Sequence, residues 1–346
     1  MTSIMAVAEY AGVSIATVSR VLNDTKYVSP AVRARVLEAI GALNYQPSVP
    51  ARSLRLQQTQ SIGVLLPQLN DFYFSNLAFV LEKALSEECY SPLFASTEGD
   101  PEKEAACIDL LSRNRVEGAV LVPTLPVSRS KENINRLVDR GVAVVLVDRG
   151  LAELNVNQVR SDNFQGGADG MRHLLVLGHR QIGFLDSRTG KESLTHGSGH
   201  PGHERISGAR HAAAEAGLPF REDLVKFEDL PNTEMGYYGT LKLLRECPDV
   251  TAIFAITDAI AVGVLRAAYE LNMNVPRDLS VLGFDDIPLA SHVIPRLTTV
   301  AQSVERIGRT AADLLLRQIR EPDEPRERIM VATQLVVRES TAPPSH

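Results

Sequence analysis

The chain has 346 residues, 44% of them hydrophobic, enough for two or three domains with a substantial buried core. No run approaches the ~18 consecutive apolar residues needed to span a membrane, and no basic-then-apolar-then-small leader opens the chain, so export is not expected. Cys89, Cys107 and Cys247 are odd in number and far apart, which fits neither a disulfide framework nor a zinc site and suits a reducing cytoplasm.

The net charge of −6 is unevenly spread. Residues 1–60 hold six Lys/Arg against three Asp/Glu, a net +3 that leaves −9 for the remainder. A basic head on an acidic body turns the head toward a polyanion and keeps the body off it. Within the head, Ser3 is placed to cap a helix whose stripe is Ile4, Val7, Ala8 and Ala11, and Gly12 stops it. Ser14 then caps a second helix, Ile15 to Leu22, with Val18, Val21 and Leu22 inward. Its outer face carries Ile15, Ala16, Thr17, Ser19 and Arg20, small or hydroxylated residues with one long cation and no acid. Such a face suits a helix lying in a DNA groove. Ser29-Pro30 opens a third helix with Val32, Val36, Ile40 and Leu43 on its apolar face, and Asn44 ends it. Residues 47–60 form a linker rich in Gln, Ser and Arg, in which 48–55 has two turns of helical potential. Alone, so short a helix is marginal and should order on binding DNA.

From Ser61 the pattern changes to short apolar runs alternating with amphipathic helices. Ser61–Leu66, Gly118–Val122 and Ala143–Val147 read as buried parallel strands, with helices over Phe74–Glu88 and Lys103–Asn114. A second set has strands at Ile182–Leu185, Ala252–Ala255 and Ser280–Phe284, and helices near Arg205–Ala216, Met235–Arg245 and Ala259–Leu271. This is an α/β architecture of doubly wound parallel sheets, twice over. A helix over Val304–Ile319 and a terminal strand over Arg328–Val337 follow, separated by the acid- and proline-rich 321–325.

Strand ends are where such sheets place ligands. Asp71, Tyr73 and Phe74 follow the first strand, Asp148 and Arg149 a later one, Asp258 follows 253–256, and Asp285-Asp286 follow 281–284. Asp71 and Asp258 read equally well as helix caps. No Gly-x-Ser-x-Gly elbow and no GxxxxGK[ST] loop occurs, so catalysis and nucleotide phosphate binding find no support. His196, His200 and His203 lie close together, but Gly197, Ser198, Gly199, Pro201 and Gly202 around them favour a solvated loop over a metal site. No cofactor or metal is expected.

Ala8-Glu9-Tyr10-Ala11-Gly12-Val13-Ser14 with Thr17-Val18-Ser19-Arg20-Val21-Leu22-Asn23 resembles the helix-turn-helix of the lactose/galactose-repressor family of bacterial transcription regulators. The order of motifs follows that family from Ser3 to about Thr341. The resemblance implies a helix-turn-helix headpiece over 1–46, a hinge helix and linker over 47–60, a two-lobed periplasmic-binding-protein-like core over 61–341, and a tail over 342–346. Lobe 1 would take about 61–160 and 299–321, and lobe 2 about 162–288 and 325–341, with crossovers near Ser161–Asn163, Pro288–Thr299 and Glu321–Pro325. DNA contacts would come from Ser14, Ile15, Ala16, Thr17, Ser19, Arg20, Asn23, Tyr27 and Tyr45. Ala51 and Leu54 would add hinge contacts, with Leu54 as a minor-groove wedge. Pro50 departs from the family pattern there. In the family, the positions of Tyr73, Phe74, Arg205 and Asp285 line the effector pocket. Leu230-Pro231 stands where sugar-binding members carry an aromatic platform, and Thr257 stands where Asn is usual.

The reading is therefore a cytoplasmic, ligand-responsive, sequence-specific regulator and not an enzyme. It is expected to be a repressor that binds a palindromic operator as a homodimer, since no heptad tail would hold a tetramer. A sugar or sugar derivative is the expected effector, and a purine or nucleoside corepressor the alternative. A solute-binding protein would share the core but need export and no headpiece. An α/β enzyme would need a catalytic constellation.

Overall fold

Short helices with a shared apolar stripe, followed by buried six-residue apolar runs, fold as two units, Met1–Gln60 and Ser61–His346. The computed structural model describes residues 3–23, 26–45, 59–124, 127–187, 200–228, 230 and 232–345. In the first unit α1 (Ile4–Ala11) begins where the Ser3 hydroxyl accepts the Ala6 amide at 3.3 Å. It ends at Gly12, whose φ of 62° is the left-handed turn that glycine adopts freely. α2 (Ile15–Asn23) begins where Ser14 accepts the Thr17 amide at 3.1 Å, and its axis meets that of α1 at 103°. That angle and the three-residue turn are those of a helix-turn-helix. α3 (Pro30–Ala42) closes the core of Val7, Ala8, Ala11, Val18, Val21, Val36 and Ala39. Ser29 makes no side-chain cap bond, so Pro30, with its φ already fixed, sets the start of α3.

The second unit holds two six-stranded sheets. β1 (Ser61–Leu66), β2 (Ser91–Ser96), β3 (Gly118–Leu121), β4 (Ala143–Val147), β5 (Asn157–Ser161) and β11 (Arg328–Val331) run parallel in the order β2-β1-β3-β4-β5-β11. The other sheet has the matching order β7-β6-β8-β9-β10-β12, from β6 (Ile182–Ser187), β7 (Val225–Glu228), β8 (Ala252–Ala255), β9 (Ser280–Asp285), β10 (Thr298–Ala301) and β12 (Gln334–Val336). Only β12 is antiparallel to its neighbour. The strand period of two sorts side chains between faces. Ile62, Val64 and Leu66 pack under α4 (Phe72–Glu87) and α11 (Val304–Arg320), whereas Leu65 packs under α5 (Pro101–Arg113) and α6 (Val127–Val138). α7 (Asn163–Val176), α8 (Pro201–Glu215), α9 (Asn232–Glu246) and α10 (Asp258–Glu270) cover the second sheet.

Two of the three expected crossovers lie elsewhere. Thr298–Ala301 pairs with β9, so the chain leaves the second sheet after residue 301, not within 288–299. The acid- and proline-rich 321–325 is a surface turn, and β11 pairs with β5 of the first sheet. The chain returns to the second sheet at 332–333, so the expected single strand over 328–337 is two strands in different sheets. The acid- and proline-rich stretch does separate the helix from the strand as expected, but it is not a crossover. Which sheet a short strand joins is set by its ladder partner, and composition does not carry that.

The crossing of α7 and α8 fixes the position of Arg205. A Cβ on Gly167 would lie 1.9 Å from the Arg205 carbonyl oxygen, and one on Gly208 would lie 1.8 Å from that of Phe164. Two glycines thus let the backbones touch and carry Arg205 onto the start of α7. Gly208→Ala should destabilise the protein by about 1–3 kcal/mol, since the obstructing atom is backbone and must shift. Denaturant unfolding checks this. A midpoint unchanged from that of the parent chain would show that the helices do not approach this closely.

Candidate functional site

The outward face of α2 is available for contact. Ile15 is 45% exposed, and Ser14, Ala16 and Arg20 are exposed beside it. Thr17 is half-buried, and its hydroxyl lies 2.9 Å from that of Ser14, so these two serve the helix start as well as any ligand. Ser19 and Tyr45 are half-buried, and the Tyr45 ring packs on the headpiece core. Tyr27 is exposed. The Asn23 side chain, Ala51 and Leu54, with the whole expected hinge helix, lie outside the described residues.

In the second unit the carboxyl ends of the strands from both sheets converge. Arg205, on α8, is 4% exposed. Its Nε donates to Asn163 Oδ1 at 2.9 Å, its Nη1 donates to the Ile256 carbonyl at 2.5 Å, and Nη1 lies 3.3 Å from Asp285 Oδ1. The guanidinium lies 3.8 Å from the centre of the Phe284 ring, a cation–π contact that shields its face from water. Asp285 ends β9 and also accepts Gln302 Nε2 at 2.7 Å. From the other sheet, Tyr73 enters at the first turn of α4, packed edge-to-face on Phe74 with ring centres 5.2 Å apart. Tyr73 is 6% exposed, and its hydroxyl has no hydrogen-bond partner among the described residues.

Burial dominates the electrostatics. Desolvation raises the Asp285 carboxyl from its ordinary 3.8 to about 7, against the pull of Arg205 and the Gln302 hydrogen bond. Asp148 and Asp71 are raised by burial too, and the Tyr73 phenol is pushed well up by burial and by the surrounding Asp148 and Asp285. Backbone strain gathers in the same place. Asp148 has φ 64° at the centre of a turn closed by the Arg149 amide on the Val147 carbonyl at 2.7 Å. Asp285 has φ 115° and Asp286 φ 55°. The Asp286 carboxylate accepts from Arg338 at 2.6 Å, and the following Ile287 amide donates to Asp258 at 2.9 Å.

These contacts separate the candidates. Tyr73, Phe74, Asp148, Arg205 and Asp285 come together. Arg149 reaches away, its Nη1 donating to the Pro123 carbonyl at 3.2 Å, with its Nε 3.8 Å from Asp148. Asp258 is neither cap nor contact. Thr257 caps α10, and the fully buried Asp258 accepts from Ile287 N and from Thr299 Oγ1 at 2.6 Å, binding strand ends together. Asp71 is the N-cap of α4, accepting the Tyr73 and Phe74 amides, and it faces Asn232 of the other sheet's layer at 3.4 Å. The loop expected over 190–203 ends earlier, because Pro201 starts α8 and His200 caps it through Gly202 N at 3.2 Å. His196 lies outside the described residues. Sequence reasoning misses Asn163 and Gln302. Gln302 directly follows β10, so the strand-end rule would find it once that strand is recognised.

A model for the lacI family of bacterial regulatory proteins matches residues 3–48, and one for a periplasmic binding protein-like domain matches 171–341. The HTH-type transcriptional repressor PurR of Mannheimia succiniciproducens is 32% identical over 342 residues, 98% of each chain. The ribose operon repressor of Escherichia coli K12 is 33% identical over 98% of this chain and 100% of its own. The crystal structure of the Lac repressor dimer bound to operator and an anti-inducer has a TM-score of 0.86 at 26% identity, covering 99% of both chains. A LacI-family regulator from Enterococcus faecium with bound ribose has a TM-score of 0.69 at 28% identity, covering 82% of this chain and 99% of that one. With headpiece, core and near full-length similarity all in place, this chain belongs to the LacI family of bacterial transcription regulators.

Proposed function

We propose that the protein is a ligand-responsive transcriptional repressor that binds a palindromic operator as a homodimer in the cytoplasm, with a sugar or sugar derivative as effector in the core. The observation that carries this reading is one chain joining an acid-free, outward α2 face to a buried polar cleft where strand ends converge. In this reading Ile15 and Ala16 meet base edges and thymine methyls, and Arg20 takes a guanine edge or a phosphate. Ser14, Thr17, Ser19, Asn23, Tyr27 and Tyr45 fix the backbone, and Ala51 and Leu54 act in the minor groove. In this reading the cleft binds its effector, and Arg205 is held in place by its bonds to Asn163 and the Ile256 carbonyl. Effector contacts made in only one arrangement of the lobes would shift their balance and so the DNA affinity. The lobes are joined across the cleft by Asn232–Asp71 and by Arg160–Glu204, the latter at 2.7 Å.

Two measurements test this reading. Arg20→Ala should weaken operator binding by about 10–100-fold, from the ~1–3 kcal/mol of a base-edge contact, while the core keeps its unfolding midpoint. Electrophoretic shifts on a selected operator measure this, and an unchanged affinity would remove Arg20 from the reading face. The second concerns pH. A carboxyl whose value is higher in the folded protein than in the unfolded chain favours folding while protonated. That contribution is full below the ordinary 3.8 and is lost as the pH rises through about 7. The unliganded core should therefore lose thermal stability between pH 5 and pH 8, and Asp285→Asn should flatten that loss. Parallel profiles for the two proteins would place the titration elsewhere.

A further inference from the structure

The contacts between the two lobes differ in strength. Asn232 meets Asp71 at 3.4 Å, near the limit of a hydrogen bond and with one neutral partner. Arg160 Nη1 donates to Glu204 Oε1 at 2.7 Å, with both groups charged and only 31% and 25% exposed. Arg160 stands on β5 of the first sheet, and Glu204 in the first turn of α8, which covers the second. The amides at a helix start favour a negative side chain there. Each end is also tied to a cleft residue. The Arg160 stem lies along the turn that carries Asp148, since a Cβ on Gly150 would sit 3.5 Å from Arg160 Cδ and 2.9 Å from Gln158 Oε1. Gln158, two residues before Arg160 and on the same face of β5, accepts the Leu151 amide at 3.1 Å and donates to the Leu151 carbonyl at 2.8 Å. The turn is thus braced from β5 by two side chains. Glu204 directly precedes Arg205. Burial raises the Asp148 carboxyl, and the charge of Glu204 on the other lobe raises it further. Without Arg160 the two lobes would present like charges to each other. With it they share a charged hydrogen bond that lasts only while they keep this spacing.

We infer that Arg160 and Glu204 form a clamp that sets the resting balance between lobe arrangements, with Arg160 holding Glu204 beside a wall whose own charge repels it. Both are positioning residues: they act by placing the Asp148 turn and the Arg205 helix against each other. The clamp's effect on DNA rests on the coupling of lobe arrangement to operator affinity proposed above. The pair is worth most in the arrangement where it closes, so its loss moves the balance away from that arrangement.

The test is single-molecule energy transfer on the full chain without effector or DNA. One dye is placed on Cys89, exposed between α4 and β2, and one at Val176→Cys, where the native side chain at the end of α7 is 86% exposed. Cys107→Ser and Cys247→Ser complete the background, and labelled chain is diluted into excess unlabelled chain. Arg160→Gln, which leaves Glu204 facing Asp148, should shift the ratio of lobe arrangements about 5-fold. Glu204→Gln removes attraction and repulsion together and should shift it about 2-fold in the same direction. The double variant should go no further than Glu204→Gln alone, whereas independent effects would multiply to about 10-fold. Arg160→Lys keeps the charge and should lie nearer the parent than Arg160→Gln. Each variant is checked for the parental thermal transition. A parental ratio in Arg160→Gln, or in Glu204→Gln should the first not fold, would overturn the clamp, and so would effects that multiply. Operator affinity of the same proteins should follow the ratio. A ratio that shifts while operator affinity does not would leave the clamp standing and overturn the proposed coupling of the lobes to DNA.

Discussion

A guanidinium removed from water sets the terms for the core. Arg205 keeps its charge at 4% exposure because Asn163, the Ile256 carbonyl, Asp285 and the Phe284 ring replace its hydration. A charge buried that deeply is tolerated only when such partners are in place, and removing one of them costs on the order of 3–5 kcal/mol. The partners come from three elements: Asn163 from α7, the Ile256 carbonyl from the end of β8, and Phe284 and Asp285 from β9. The helix crossing that allows α8 to sit directly on α7, the strand ends that present carbonyl and carboxylate, and the strained turn at Asp285 are all conditions on this one group.

The same group explains the crowding of acids around it. Asp71, Asp148, Asp258 and Asp285 all lie at strand ends or helix starts, where amides are available as donors. Burial raises the protonation value of each of them. Asp258 is locked by Ile287 and Thr299 and serves the frame. Asp285 retains an open side toward the cleft. Two neighbouring aspartates thus do different work because one is saturated with internal donors.

The headpiece is held together on a smaller scale. Its buried core consists of seven small side chains, none larger than valine. A cluster of that size stabilises a fold weakly, and capping at Ser3, Gly12 and Ser14 contributes a larger share than in the core domain. The exposed α2 face is consequently free of structural duty at Ile15, Ala16 and Arg20, whereas Ser14 and Thr17 are shared between helix start and surface.

The sequence by itself determined the helix-turn-helix, the paired α/β organisation and most of the cleft. Those features depend on local patterns: a cap, a glycine, a period of 3.6, or a buried run ending in an acid. Tyr73 and Asp285 were legible because they follow strand ends, and Arg205 because the family resemblance marks its position. The tertiary structure alone decided the rest. Which sheet β11 joins is a question of a ladder partner more than 100 residues away, as in the pairing of Arg328 with Gln158, and β10 is placed by its pairing with β9, as in Thr298 with Leu282. Gln302 stayed hidden behind the unrecognised β10. Asp258 looked like a cap or a contact, and only the approach of Ile287 and Thr299 makes it an internal crosslink. Local sequence specifies the donors and acceptors a segment offers. Which of them remain open to a ligand depends on what the distant chain has already satisfied.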